Sequence, residues 1–183
     1  MATDSIARRR RPFLAPIWLV VLLAVIVAVV AFKVYQSAAT TTVIVVPPAE
    51  SAVGSIQNAP LIPEGEQRAD QLAQLFGGIG PAGRIAAIYV NATRQTQQTA
   101  APLAERLGLT PIVVAGDDVD ATISRALSEH RGEAVMIVSS ATSAALQTLT
   151  GITVPPRPAD DHGSIYIVSV PLLGSAGVVG LHY

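Results

Sequence analysis

Residues 87–109 read AIYVNATRQTQQTAAPLAERLGL. An apolar run ending at Val90 passes through a short polar turn into a helical pattern that spans Thr96 to Leu107 and closes at Gly108, since glycine just past the last periodic residue is a stop signal. Strand, turn and helix in that order form the repeating piece of an α/β domain. Outward from it the same piece recurs. Thr41–Val46 (TTVIVV), Arg84–Val90 (RIAAIYV), Pro111–Val114 and Glu133–Val138 (EAVMIV) are short β-branched or apolar runs of the length of buried strands. Glu64–Phe76 sets Ala69, Leu72, Ala73 and Phe76 at helical spacing behind the start signal Pro63 and stops at Gly77–Gly78. Asp118–His130 and Thr142–Leu149 supply two further helices.

This alternation predicts right-handed crossovers and a three-layer αβα domain with a mainly parallel sheet covered on both faces. The pattern changes at the end of the chain. Ser164–Val170 and Val178–Tyr183, joined by a Pro/Gly/Ser turn, predict an antiparallel hairpin that finishes one edge of the sheet. A proline-rich loop, residues 155–163 (PPRPADDHG), precedes that hairpin.

The chain has 183 residues, and its first part does not belong to this scheme. From Pro12 to Phe32 no residue is charged, and Ile17–Phe32 is almost wholly Val, Leu, Ile and Ala. As a helix this stretch would reach about 31 Å, close to the ~30 Å of a hydrocarbon layer. It reads as a transmembrane helix, with Pro16 near its start and Trp18 and Tyr35 towards its ends, where amphipathic rings favour the interface. Arg8–Arg11 precede it and only Lys33 follows closely, which favours a cytoplasmic N-terminus and an extracytoplasmic C-terminal domain at the cell membrane. Small residues at Ser37 and Ala39 also fit a cleaved signal peptide, but the apolar run is longer than a signal core, so a retained anchor is expected. The expected organisation is a basic segment 1–11, a membrane helix 12–35, a linker 36–40 and one domain 41–183.

Beyond residue 35 the chain carries seven Arg, no Lys and twelve Asp or Glu. This mildly acidic balance argues against a nucleic-acid partner, which calls for clustered cations. With no cysteine, thiol catalysis and Cys-based metal sites are excluded. The three histidines, His130, His162 and His182, have no metal-ligand spacing and read as surface residues without a role. The acidic cluster Asp117, Asp118 and Asp120 could bind a cation, yet it sits where carboxylates favour a helix N-terminus. No metal or cofactor is expected.

The segments LIPEGEQRADQLAQLF (61–76), AIYVNATRQTQQTAAPLAERLGL (87–109) and the closing IYIVSVP…VVGLHY resemble the histidine phosphatase superfamily, which includes phosphoglycerate mutases and bacterial phosphohistidine phosphatases. The resemblance covers nearly all of 41–183. It implies a histidine nucleophile at the end of the first strand, held with two arginines and a second histidine that clamp the phosphoryl oxygens. Carried over, the first-strand motif of Val, Arg, His, Gly or Ala, and Glu falls on Val46, Pro47, Pro48, Ala49 and Glu50. The helix-start arginine falls on Gln95. The late motif of Gly-His-Ser-Asn falls on Ser139, Ser140, Ala141 and Thr142, so Ser140 stands at the second histidine.

Pro47, Pro48, Gln95 and Ser140 are thus four degenerate positions, and no catalytic residue is assigned. Proline cannot attack phosphorus or donate a hydrogen bond from its side chain. Arg94 neighbours Gln95, but one residue along a helix turns a side chain by about 100°, so it should face elsewhere. Ser140 lacks an adjacent base. Asn91, Arg94, Ser139 and Thr142 remain as a polar cup for residual ligand binding at the carboxyl ends of the strands, where α/β sheets hold ligands. The expectation is a catalytically inactive, membrane-anchored domain that binds an envelope protein or a small anionic ligand. The alternatives are a weak or atypical phosphatase using Arg94 and Ser140, and a structural spacer.

Overall fold

All six residues of Thr41–Val46 are β-branched, and their stiff side chains favour an extended backbone. They form β1 of the computed structural model, which describes residues 15–38, 40–52, 58–78, 83–114, 118–153, 162–172 and 174–182. The chain divides into two compact units, Met1–Tyr35 and Gln36–Tyr183.

The first unit is represented by α1, Ala15–Ala38, a helix of 24 residues. Its described side chains from Ile17 to Lys33 are all exposed. Among the described residues no helix counts as long and apolar enough to cross a membrane. The basic cluster Arg8–Arg11, Pro12 and Ala39 lie outside the described residues.

In the second unit β1 is followed by α2 (Pro63–Phe76), β2 (Ile85–Asn91), α3 (Arg94–Leu107), β3 (Ile112–Val114), α4 (Val119–Glu129), β4 (Ala134–Val138), α5 (Thr142–Thr150), β5 (Ser164–Val170) and β6 (Gly177–His182). The six strands form one sheet in the order β3-β2-β4-β1-β5-β6. β1, β2, β3 and β4 are mutually parallel, while β5 runs antiparallel to β1 and β6 antiparallel to β5. Both the mainly parallel sheet and its closing hairpin agree with the sequence reading. Helix boundaries moved by a residue or two: Pro63 is the first residue of α2, and α3 starts at Arg94 because the Thr93 side chain accepts a hydrogen bond from the Thr96 N–H and caps it.

Period-two alternation along the strands makes two cores. On one face Ile44, Val46, Ile88, Val90, Met136 and Val138 pack against Leu72, Phe76 and Leu103. On the other Val43, Val45, Tyr89, Val135 and Ile137 pack against Ile123, Ala126, Leu146 and Leu149. β2 breaks this alternation once, where its register slips between Ile85 and Ala87, so Ile85 joins the first core and Ala87 the second. α3 ends at Gly108 with φ 67°, a left-handed conformation that glycine adopts without strain, and its N–H bonds back to Ala104 and Glu105 carbonyls. The central strands β1 and β4 are buried along almost their whole length, and their carboxyl ends lie beside α2, α3 and α5.

Candidate functional site

β1 leaves the sheet at Val46, and Pro47, Pro48 and Ala49 continue it, all buried. Neither proline has an N–H, so Ala49 is the first residue after the strand able to donate from its backbone. That N–H goes to Thr99 Oγ1 at 3.0 Å, buried, and the Thr99 hydroxyl in turn donates to the Gln95 carbonyl at 2.8 Å. Gln95, one turn earlier on α3, donates from Nε2 to the Ala49 carbonyl at 2.7 Å. Both polar groups of Ala49 are therefore closed onto the first turns of α3.

The third wall is the end of β4. Ser139 is buried, its N–H donates to the Val46 carbonyl at 3.0 Å, and its hydroxyl accepts from the Ala141 N–H at 3.2 Å. Thr142, also buried, donates its hydroxyl to the Ser139 carbonyl at 3.0 Å. Ser140 is exposed. The sequence-derived positions Pro47, Pro48, Gln95, Ser139, Ser140 and Thr142 thus do gather at the carboxyl ends of β1 and β4 and the start of α3. Their polar atoms are largely spent on one another. Asn91 is half-buried at the end of β2, and the Arg94 side chain is exposed while its backbone N–H is held by Asn58 Oδ1.

Three residues at this end of the sheet were not singled out as a site by the sequence reading. Glu50 and Arg68 form a partly exposed ion pair, with Arg68 Nη2 2.6 Å from Glu50 Oε1 and Arg68 Nε donating to both carboxylate oxygens at 2.9 and 3.0 Å. Partial burial pushes the Glu50 carboxyl up. The Arg68 hydrogen bond, the Glu50 backbone N–H, and the charges of Arg68 and His162 outweigh it and hold the carboxyl below its ordinary value. The third residue is His162, whose Nδ1 lies 3.0 Å from the Pro48 carbonyl. With a carbonyl as partner that nitrogen carries the proton. His162 is half-buried and bonded to the end of β1, where the sequence reading makes it a surface residue; no local pattern around it signals that contact.

His130 also has partners: its Nδ1 lies 2.9 Å from Glu133 Oε2 and its ring meets Tyr89 edge-on at 6.1 Å. In the acidic cluster, Asp118 caps α4 by accepting from the Ala121 N–H at 3.0 Å, and Asp120 accepts from the Thr148 hydroxyl; Asp117 lies outside the described residues. Among the described residues no group of three His, Asp or Glu converges as a metal ion would require.

A cavity of about 530 Å³ lies at the opposite end of the sheet, lined by Thr42, Arg84, Leu109 and Glu133 among others. Near the converging strand ends a shallow cleft without room for a water molecule lies between Asn91, Asp118, Val119, Thr122, Ile137 and Ser139. A phosphate-binding histidine phosphatase needs cationic donors aimed at a space. At the positions the resemblance marks, the donors described are amides and hydroxyls bonded to protein, while of the cations at this end Arg68 is paired with Glu50 and Arg94 is exposed.

By sequence no family model and no curated protein matches the chain. By structure it is similar to the protein histidine phosphatase SixA complexed with tungstate, at a TM-score of 0.61 and 16% identity over 77% of this chain and 96% of that one. A SixA protein from Nakamurella multipartitia aligns at a TM-score of 0.54 and 19% identity, over 78% of this chain and 96% of its own. The phosphoserine phosphatase from Entamoeba histolytica, in complex with 3-phosphoglyceric acid, gives 0.52 and 15% identity, over 75% and 96%. The second unit has the histidine phosphatase fold.

Proposed function

We propose that this chain is a degenerate member of the histidine phosphatase superfamily, a pseudophosphatase that acts by binding a protein or a small anionic ligand and performs no phosphoryl transfer. One observation carries the reading: Gln95, at the position of a phosphate-clamping arginine, donates its amide to the Ala49 carbonyl at 2.7 Å. A guanidinium there would present a fixed positive fork to a phosphoryl group. The amide is neutral and is committed to the backbone beside Pro47 and Pro48. No imidazole stands at Pro48 or Ser140 to form a phosphoenzyme.

The same proposal keeps α1 as a single-pass anchor with the domain outside the cytoplasmic membrane. Its support is the length of the helix and the uninterrupted apolar exposure of Ile17–Phe32. Twenty-four residues rise about 36 Å, enough to cross ~30 Å of hydrocarbon. Exposed apolar side chains on every side of a helix are stable only against lipid or protein. Alkaline carbonate extraction should leave the full chain in the membrane pellet, and external protease should remove the domain; release into the supernatant would end the anchor reading.

His162 supports a second reading, an atypical phosphatase, because it brings an imidazole to within 3.0 Å of the Pro48 carbonyl. Full-length protein in detergent, assayed with p-nitrophenyl phosphate and a phosphohistidine peptide, separates the two. The pseudophosphatase reading expects no turnover above a blank. Turnover that His162→Ala abolishes would transfer the conclusion to the second reading.

A further inference from the structure

The two edges of the sheet are unlike. At one, β3 is three residues long, with Ile112 and Val114 half-buried against the second core. At the other, β6 is six residues long and exposed throughout, and among the described residues it pairs only with β5. A long, open edge is a template for another strand, and proteins that stay monomeric guard such edges with charge, proline or brevity. β6, GVVGLH, has none of these guards. Val178, Val179 and Leu181 are 44%, 58% and 44% exposed, so apolar side chains stand uncovered on both faces of the strand.

We infer that the outer edge of β6 pairs antiparallel with β6 of a second copy of this chain, about a two-fold axis through Gly180. Antiparallel partners share a face when their residue numbers sum to an even constant in a symmetric pair. Centred on Gly180, Val179 faces Leu181 of the partner strand and Leu181 faces Val179. Two apolar pairs form on the face that carries Ile165 and Ile167, which belong to or pack on the first core. On the opposite face Val178 faces the partner's His182. No charged residue is brought opposite another, so the edge is complementary to itself where a charged edge would repel its own copy.

The centre of the pair suits a small residue as well. Gly180 lies opposite Tyr166, and a Cβ built there would sit 3.7 Å from the Tyr166 ring, in ordinary contact. Its backbone lies open to a second Gly180 with no side chain between. One short strand against another covers less than the ~1,000 Å² of a stable free interface. The contact is therefore weak in solution and grows with local concentration.

Absence of cysteine makes the test direct. In full-length protein in detergent, Gly180→Cys should form a disulfide-linked dimer under mild oxidation, since the axis brings position 180 onto its own copy. Val113→Cys, in the middle of the β3 edge and 52% exposed, provides the comparison at the other edge. Adding Val179→Glu to Gly180→Cys should abolish the cross-link, and Val179→Glu alone should leave the thermal midpoint unchanged, as an exposed substitution should. Cross-linking of Val113→Cys as fast as Gly180→Cys, or none at Gly180→Cys while circular dichroism reports a folded protein, would overturn the inference. Sedimentation of the unsubstituted chain as a monomer across all concentrations would do the same.

Discussion

Gly65, in the first turn of α2, shows how narrowly a single position can be set. A Cβ there would lie 2.2 Å from the Glu50 carbonyl oxygen, 3.0 Å from its carbonyl carbon and 3.1 Å from its backbone nitrogen. The obstacle is backbone, held by the Ile62 N–H at 3.1 Å from the same oxygen, so it has little room to move. Gly65→Ala should lower stability by about 1–3 kcal/mol, the usual size of an overpacked site, read as a fall in the urea midpoint at constant slope. Beside it the Glu50–Arg68 pair predicts a pH effect of definite sign. The folded carboxyl is held below its ordinary value, so its contribution is present above the unfolded carboxylate range and is lost as pH falls through the folded value. Arg68→Ala should flatten that acid limb and cost about 1 kcal/mol at neutral pH, since the pair is partly solvated. Urea titrations at pH 3 to 7 check both.

At the scale of elements, β2 and α4 are joined through Tyr89, whose ring is buried in the second core while its hydroxyl donates to Glu129 Oε2 at 3.1 Å. Glu129 is also bonded by Arg125 one turn earlier, at 2.9 Å. Burial, together with the Glu129 hydrogen bond and charge, raises the Tyr89 phenol above its ordinary value. A raised folded value means that this contribution is complete below the unfolded phenol range, near pH 10, and is lost as pH climbs through the folded value. Tyr89→Phe should therefore cost about 0.5–1.5 kcal/mol at neutral pH and remove part of the alkaline decline, measured as thermal midpoints from pH 8 to 11. The elements themselves were legible because each carries its own period: TTVIVV reads as a strand from six residues, and Ala69, Leu72, Ala73 and Phe76 name their face of α2 before any partner is known. The slip at Ala86 was not legible, because the run RIAAIYV reads as an unbroken strand and only pairing with β4 reveals the extra residue.

For the whole molecule, what sequence conveyed was the arrangement of layers and, through the resemblance, four positions proposed as degenerate. What it withheld was how those positions are occupied. Gln95 meets Ala49 across 46 residues of chain and His162 meets Pro48 across 114, and separations of that size leave no local pattern. Residue types marked Pro47, Pro48, Gln95 and Ser140 as positions to compare; only folding showed that the Gln95 amide is bonded to the Ala49 carbonyl. That bonding has a consequence for the history of such a domain. A histidine returned to position 48 alone would meet a strand end already gripped by Gln95, Thr99 and His162. An arginine returned to position 95 alone would strip the Ala49 carbonyl of its donor and bring a lone cation to a site without a ligand. On the proposed pseudophosphatase reading, each such step breaks a satisfied bond before it restores a phosphate contact, so a loss of the chemistry would work as a ratchet, with the way back uphill in stability at each single substitution.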